Sequence, residues 1–504
     1  MESSRVNRIA KNTTILYIRM AILMCVTFVS SRLLLKALGI EDFGIFSVIG
    51  SVSATFVALK GLFIESIQRF LNFYKGKSDN KKQQEVYSLS IIIHLVLAII
   101  LVILLESVGL WLLHNKLVIP AEKVNTAMFV FHTTVVASFI SVLCIPFDAL
   151  LIANERIGFY SLVSVFDGCY RLLLVLLLPE LPFVLLKSYS LSLIAIPSVS
   201  LLAMYLYCRK QFEECRFSLK TNKALLKEVV SLSGWNFVGN ISFSLLHEGI
   251  NFILNIYGGL IYNAARSIAY QVKNVSVQFS TNSLIAARPM VMQSVTIDDN
   301  YKSLFKNIIA ISRVSFLIML IFVSPIIAYC DELLKIWLKD VPAHAPLFTK
   351  LVLLGVLIRS FHEPLNTLYM SIGKIKRMMI IEMVIMISSL SFIYILLSRG
   401  AEMWVSFALL TFMELFIILS LSLNAKIEVD FPLTQYWNDV ILPSMFLVVI
   451  MMGVVFLSSL MPPSSVVVVI SLCLMVAIFM IIFVYLFMNE SEKQIVKKFL
   501  SKLK

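Results

Sequence analysis

Apolar residues run through this chain in blocks of about 17 to 25, divided by short polar, proline or glycine breaks. The blocks predict fourteen helices, at 13–38, 43–64, 86–106, 124–150, 158–178, 184–207, 234–257, 261–287, 308–329, 346–371, 379–397, 403–424, 440–460 and 465–488. A helix rises 1.5 Å per residue, so each block is long enough to cross the hydrocarbon of a bilayer. The pattern predicts an all-α polytopic membrane protein.

An even number of crossings puts both termini on one side, and the loops can then be compared in alternation. One set carries 27 Lys and Arg, from Arg5, Arg8 and Lys11 through the 69–82, 209–227 and 374–377 stretches to the tail at 493–504. The opposite set carries seven: Lys36, Lys116, Lys123, Lys187, Lys335, Lys339 and Arg399. Basic excess marks the cytoplasmic side, so both termini are expected there.

The longest break is the basic stretch 209–232. It divides the chain into an N-terminal six-helix bundle (1–208), a cytoplasmic linker (209–232), a second six-helix bundle (233–425), and two extra helices with a basic tail (426–504). The tail residues Lys493, Lys497, Lys498, Phe499, Leu500 and Lys502 have the pattern of a short interfacial amphipathic helix. The stretch Tyr257-Gly258-Gly259-Leu260-Ile261-Tyr262 after the seventh block echoes Leu38-Gly39-Ile40 and Phe43-Gly44-Ile45-Phe46 after the first. Internal repeats of this kind are usual in transporters.

Composition sharpens the class. Of 504 residues, 59% are hydrophobic and 14% charged, against about 25% charged in soluble proteins. The net charge of +13 would raise nucleic acid as a partner in a soluble chain. Here the basic residues sit in short loops, where they meet anionic membrane lipids, and no nucleic-acid partner is expected. Seven cysteines, at 25, 144, 169, 208, 215, 330 and 473, form no CxxC pair and read as small apolar residues. Arg5, Arg8 and Lys11 precede an apolar run that continues to about Leu38 without a small-residue cleavage site, so a retained first helix is expected.

Enzyme chemistry finds no footing. Gly76-Lys77-Ser78 ends like a phosphate-binding loop, but Leu71 stands where its first glycine belongs. His247-Glu248 and His362-Glu363 are followed at the next ligand position by Asn251 and Asn366, which breaks the zinc motif. No loop on the outer face is long enough for a catalytic domain. Neither enzyme activity nor a cofactor is expected.

Charges inside the blocks each need a reason, because one at the centre of a lipid-facing helix costs roughly 2.5 to 3.5 kcal/mol. Asp167 with Arg171, and Arg359 with Glu363, are spaced to neutralise one another on a helix face. Arg313 is close enough to a helix end to snorkel. Arg19 and Arg32 in the first block, Lys60 in the second, and Arg266 and Lys273 in the eighth have no acid one turn away. Glu248 and Glu414 are the nearest to free acids, and with His247 they are the candidates for coupling an ion. Arg19, Arg32 and Lys60 also have snorkelling as an alternative. Lys273 does not, because it lies about 18 Å into its helix. Arg266, two turns earlier, shares its face, with Tyr262 and Tyr270 on the same stripe and Gln271 and Asn274 beside it. Cations interleaved with aromatics suit a ligand that joins negative charge to sugar hydroxyls, and the competing reading is an ion pair between Lys273 and Glu248. Pro146, Pro197, Pro325 and Pro364 are expected to interrupt their helices.

Three stretches carry a resemblance: Arg32-Leu33-Leu34-Leu35-Lys36-Ala37-Leu38-Gly39-Ile40-Glu41-Asp42-Phe43-Gly44-Ile45-Phe46, Ala153-Asn154-Glu155-Arg156, and Tyr262-Asn263-Ala264-Ala265. With the overall layout, they make the chain look like the Wzx-type polysaccharide flippases of the multidrug/oligosaccharidyl-lipid/polysaccharide (MOP) exporter superfamily. The resemblance implies two six-helix bundles in a V around a central cavity, in a bacterial inner membrane. It implies alternating access that carries a polyprenyl-diphosphate-linked oligosaccharide, such as an O-antigen precursor, to the periplasmic leaflet. Glycosyltransferases and a polysaccharide polymerase would be its partners. Related lipid II flippases carry cavity cations in the first, second and eighth helices, where Arg19, Arg32, Lys60, Arg266 and Lys273 stand. The alternatives are an ion-coupled small-molecule exporter of the MATE type, which predicts acids in the cavity, and a membrane-embedded glycosyltransferase or polymerase.

Overall fold

The computed structural model describes residues 2–57, 67–68, 70–75, 77, 79–154, 156–180, 184–218, 223–285, 294, 301–461, 463 and 465–487. Lys60 and the amphipathic tail expected at 493–502 lie outside the described residues. Among those described, every regular element is a helix, and eleven stretches are long and apolar enough to cross a membrane. This is a multi-pass membrane protein.

The helices are α1 (Glu2–Val57), α2 (Asn80–Leu104), α3 (Leu110–Asn115), α4 (Val124–Leu143), α5 (Ile145–Ala153), α6 (Ile157–Leu177), α7 (Leu185–Ser192), α8 (Ala195–Gln211), α9 (Lys223–Gly258) and α10 (Leu260–Ile285). They continue as α11 (Lys302–Ala328), α12 (Cys330–Leu338), α13 (Ala345–Arg359), α14 (His362–Ile372), α15 (Ile375–Ser398), α16 (Trp404–Val429), α17 (Leu433–Tyr436), α18 (Leu442–Ser459) and α19 (Val466–Phe487).

The breaks have local causes. Gly39 takes φ 76° and ψ 173° inside α1, a conformation open to glycine, and so separates the first two apolar blocks. Gly259, with φ 80°, does the same between α9 and α10. Both glycines of the echoed motif thus have positive φ. A proline ring clashes with the carbonyl four residues back and offers no N–H. The chain accordingly breaks at Cys144 before Pro146, at Leu193–Ile194 before Pro197, and at Ser360–Phe361 before Pro364. Pro325 differs: it lies inside α11, one turn from its end at Ala328, and the helix runs through it.

The chain packs as two compact units, residues 1–264 with 397–399, and residues 265–396 with 400–504. In the first, α1 lies along α6 and α9. Gly44 lets the backbones touch, since a Cβ there would stand 2.5 Å from the Leu260 carbonyl oxygen. Ile45, Val48 and Ile49 bury against Ala98, Leu101, Val130 and Phe131 of α2 and α4. The basic stretch expected as a linker at 209–232 is helical from Lys223, where α9 begins.

In the second unit α13 packs on α16, with Phe348 and Phe407 stacked at 4.0 Å between ring centroids. The last two helices, α18 and α19, pack on α11. Ser458 donates to the Ala328 carbonyl at 3.2 Å, and the Cys473 thiol lies 3.8 Å from the Pro325 carbonyl. All seven cysteines are free, and Cys144, Cys208, Cys215 and Cys330 are buried. Burial pushes the Cys330 thiol up to about 12, so it stays protonated and behaves as a small apolar group.

Candidate functional site

Helix α10 carries the most concentrated of the expected groups. It is continuous from Leu260 to Ile285, so residues three, four and seven apart share a face, and Arg266, Tyr270 and Lys273 follow that spacing. Arg266 is 4% exposed, and its guanidinium carbon sits 4.0 Å from the centre of the Tyr270 ring. The Lys273 ammonium lies 4.7 Å from the same ring. Two cations thus lie within cation–π range of one tyrosine ring. Asn274 is exposed next to Lys273, and Tyr262 is half-buried at the start of the helix, against Gly258.

Tyr270 and Lys273 line a small cavity of about 30 Å³ together with Gly355, Arg359, Thr411 and Glu414. It has room for one or two waters, not for a sugar. Glu414, expected as a near-free acid, is 6% exposed and accepts a hydrogen bond from Arg359 at 3.1 Å. Its other oxygen is buried without a hydrogen-bond partner. Beside this pair, His362 Nε2 and Glu382 Oε1 stand 2.8 Å apart, joining α14 to α15. The second unit therefore holds two ion pairs, Arg359 with Glu414 and His362 with Glu382, and Lys273 lines the same small cavity as the first.

The other expected cations lie in the first unit. Arg19 is half-buried with its guanidinium 4.8 Å above the Tyr160 ring of α6, and its Nε has no hydrogen-bond partner. Arg32, also half-buried on α1, makes no ion pair with another described residue. His247 and Glu248 are half-buried on α9. Asp167, expected opposite Arg171, accepts a hydrogen bond from Ser200 of α8 at 2.6 Å.

One polar cluster escaped the reading of the sequence. Asn251, Asn255 and Asn263 are fully buried and bonded to one another. Asn263 donates to both the carbonyl and the side-chain oxygen of Asn251, at 2.7 and 2.8 Å, and Asn255 donates to Asn263 at 2.9 Å. Asn251 in turn donates to Ser51 at 2.6 Å, and Asn255 accepts from the Val118 N–H at 2.7 Å. The available clue was Asn251 and Asn255 one turn apart in the apolar last two turns of α9. Because its groups are satisfied, the cluster locks the Gly259 turn.

The architecture is that of the MOP-superfamily transporters. An inward-facing multidrug-resistance MATE transporter of that superfamily superposes with a TM-score of 0.65 at 14% identity, over 83% of this chain and 99% of its own. The lipid II flippase MurJ, in an inward closed conformation, gives 0.68 at 12% identity, over 93% of this chain and 98% of its own. A MOP-superfamily transporter from Pyrococcus furiosus, described as having a binding pocket of reversed polarity, gives 0.60 at 15% identity over 84% and 96%. No protein-family model and no curated protein sequence matches the chain. At these identities the likeness is one of fold.

Proposed function

We propose that the protein is a lipid-linked oligosaccharide flippase, which moves a polyprenyl-diphosphate-linked glycan from the cytoplasmic to the periplasmic leaflet by alternating access during surface polysaccharide synthesis. A diphosphate with attached sugars does not cross hydrocarbon unaided, because both charge and hydroxyls lose their water. A carrier must supply cations and hydrogen-bond donors while the isoprenoid tail stays in lipid. The observation that carries the reading is the pair of cations on the Tyr270 ring, Arg266 and Lys273, held in an apolar helical unit. Such a pair suits a diphosphate, and tyrosine faces suit sugars. Arg19 and Arg32 on α1 add positive charge to the first unit, and Lys60 is a further candidate of the same kind.

A second reading, an ion-coupled exporter of the MATE type, draws on Glu414, whose second oxygen is buried without a hydrogen bond beside the 30 Å³ cavity. That cavity suits a proton or a small hydrated ion. In the flippase reading the same acid, with His247 and Glu248, would couple an ion to lipid movement.

The deciding experiment uses proteoliposomes with a fluorescent polyprenyl-diphosphate glycan in one leaflet and, separately, an organic cation inside. The flippase reading expects glycan translocation that falls at least tenfold in the Arg266→Ala/Lys273→Ala variant, about the loss of one charge-assisted contact. Export of the organic cation with no movement of the glycan would replace it by the MATE reading.

A further inference from the structure

An apolar groove in the first unit is lined by none of the residues given a part in the proposed transport. Its volume is about 880 Å³, and it runs between α2, the α4–α5 junction and α8. Ile91, Leu95, Leu143, Phe147, Leu202 and Phe217 give it an apolar length. Leu95, Leu202 and Phe217 are exposed, so the groove is open at the surface of the unit.

Only one end is charged. Arg209, in the last turn of α8, and Arg216 both line it there, and no Asp or Glu does. The two arginines are held in place. Arg209 donates to the hydroxyl of Tyr205, which also lines the groove, at 2.6 Å. The strand of chain carrying Arg216 is strapped across α2: Gln84 donates to the Arg216 carbonyl at 2.8 Å, the Cys215 thiol lies 3.3 Å from the Tyr87 hydroxyl, and Ser218 N–H donates to Ser88 at 3.0 Å. The nearby carboxylate of Glu214 accepts from Asn154 at 3.0 Å and does not line the groove.

We infer that this groove is a binding site for one anionic phospholipid, with an acyl chain along the apolar length and the phosphate between Arg209 and Arg216. Charge complementarity selects the occupant. Two guanidiniums without an opposing carboxylate favour a headgroup of net negative charge over a zwitterionic one, which brings its own cation into the same field. Position agrees, because the charged end opens where the chain's basic loops emerge, the side whose leaflet is rich in anionic lipid. A lipid seated there fastens the 212–218 strap to α2 and α8 and stabilises the entry to α9.

The test is native mass spectrometry of the full chain in detergent, titrated with phosphatidylglycerol and with phosphatidylcholine of identical acyl chains. One phosphatidylglycerol is expected to stay bound under activation that strips phosphatidylcholine. The exposed pair Arg209→Ala/Arg216→Ala should weaken its retention about thirtyfold, and Arg209→Lys/Arg216→Lys should keep most of it. Ile91→Trp fills the apolar length with both arginines intact and should also evict the lipid. Equal retention of the two lipids overturns the proposal, as does full retention by either the alanine pair or Ile91→Trp. Displacement of phosphatidylglycerol by equimolar polyprenyl phosphate would likewise overturn it, by making an isoprenoid the occupant. Glycan translocation is not read in this experiment, so its outcome is independent of the transport reading.

Discussion

Arg359 has an acid four residues along the chain, Glu363, at the spacing that pairs opposite charges on a helix face. In the folded chain its guanidinium reaches Glu414 on α16. Glu363 still acts on Arg359 electrostatically across the break that Pro364 makes at Ser360–Phe361, so the fold adds Glu414 to the partner the spacing predicts. A charge buried in an apolar bundle takes partners the fold provides as well as those the spacing predicts. Removing one member of such a pair strands the other, which costs about 3 to 5 kcal/mol, whereas removing both costs little. Glu414→Gln is therefore expected to lower the melting temperature in detergent clearly, and Arg359→Met/Glu414→Leu to restore most of the loss. Equal melting of Glu414→Gln and the parent would make the pair dispensable to the fold. Arg266 and Lys273 were legible as partners on one face because α10 is unbroken between them. That both would settle on the Tyr270 ring was not.

At the scale of elements, backbone exceptions explain more than propensities do. Gly39 and Gly259 occupy the same left-handed region at φ 76° and 80°, in the two stretches that echo each other in sequence. The faint likeness of those stretches was hard to weigh as letters. It becomes meaningful once both place a glycine at positive φ, and once Gly44 of one packs on Leu260 of the other. The Gly44 contact is with a backbone oxygen, which has no rotamer to escape into. Gly44→Ala should therefore push α1 from the start of α10 and destabilise the first unit by about 1 to 3 kcal/mol, the usual range for overpacking. An unchanged unfolding midpoint would show that the two backbones can part freely. The prolines make the same point in reverse. Three lie just beyond helix breaks, while Pro325 lies inside α11, where the Ser324 hydroxyl is 3.5 Å from the Ile321 carbonyl that the missing N–H leaves without its helical donor.

For the molecule as a whole, the apolar blocks sufficed to announce a multi-pass helical membrane protein, and the fold agrees with MOP-superfamily transporters. The last two helices, α18 and α19, were appendages in the sequence. In the structure they are part of the second unit, since Ser458 and Cys473 engage carbonyls at the end of α11 and Met480 and Val484 are buried. A chain ended after Asp430 would leave that face of α11 uncovered. It is expected to elute as aggregate on size exclusion in detergent, whereas a monodisperse peak would show the pair to be separable. The structural match covers 93% of this chain against MurJ and 83% against the MATE transporter.

Sequence alone determined what depends on local chemistry: which blocks are apolar enough to cross hydrocarbon, where glycine and proline interrupt them, and which charges sit at a depth that demands compensation. These follow from transfer free energy and backbone sterics, which act residue by residue. Only the tertiary structure decided the partners. Arg359 with Glu414, Ser51 with Asn251, and the strap that sets Arg209 and Arg216 at one end of a groove all join residues far apart in the chain. Such contacts depend on how helices pack against one another, and a hydropathy pattern that says a helix is buried says little about which neighbour buries it.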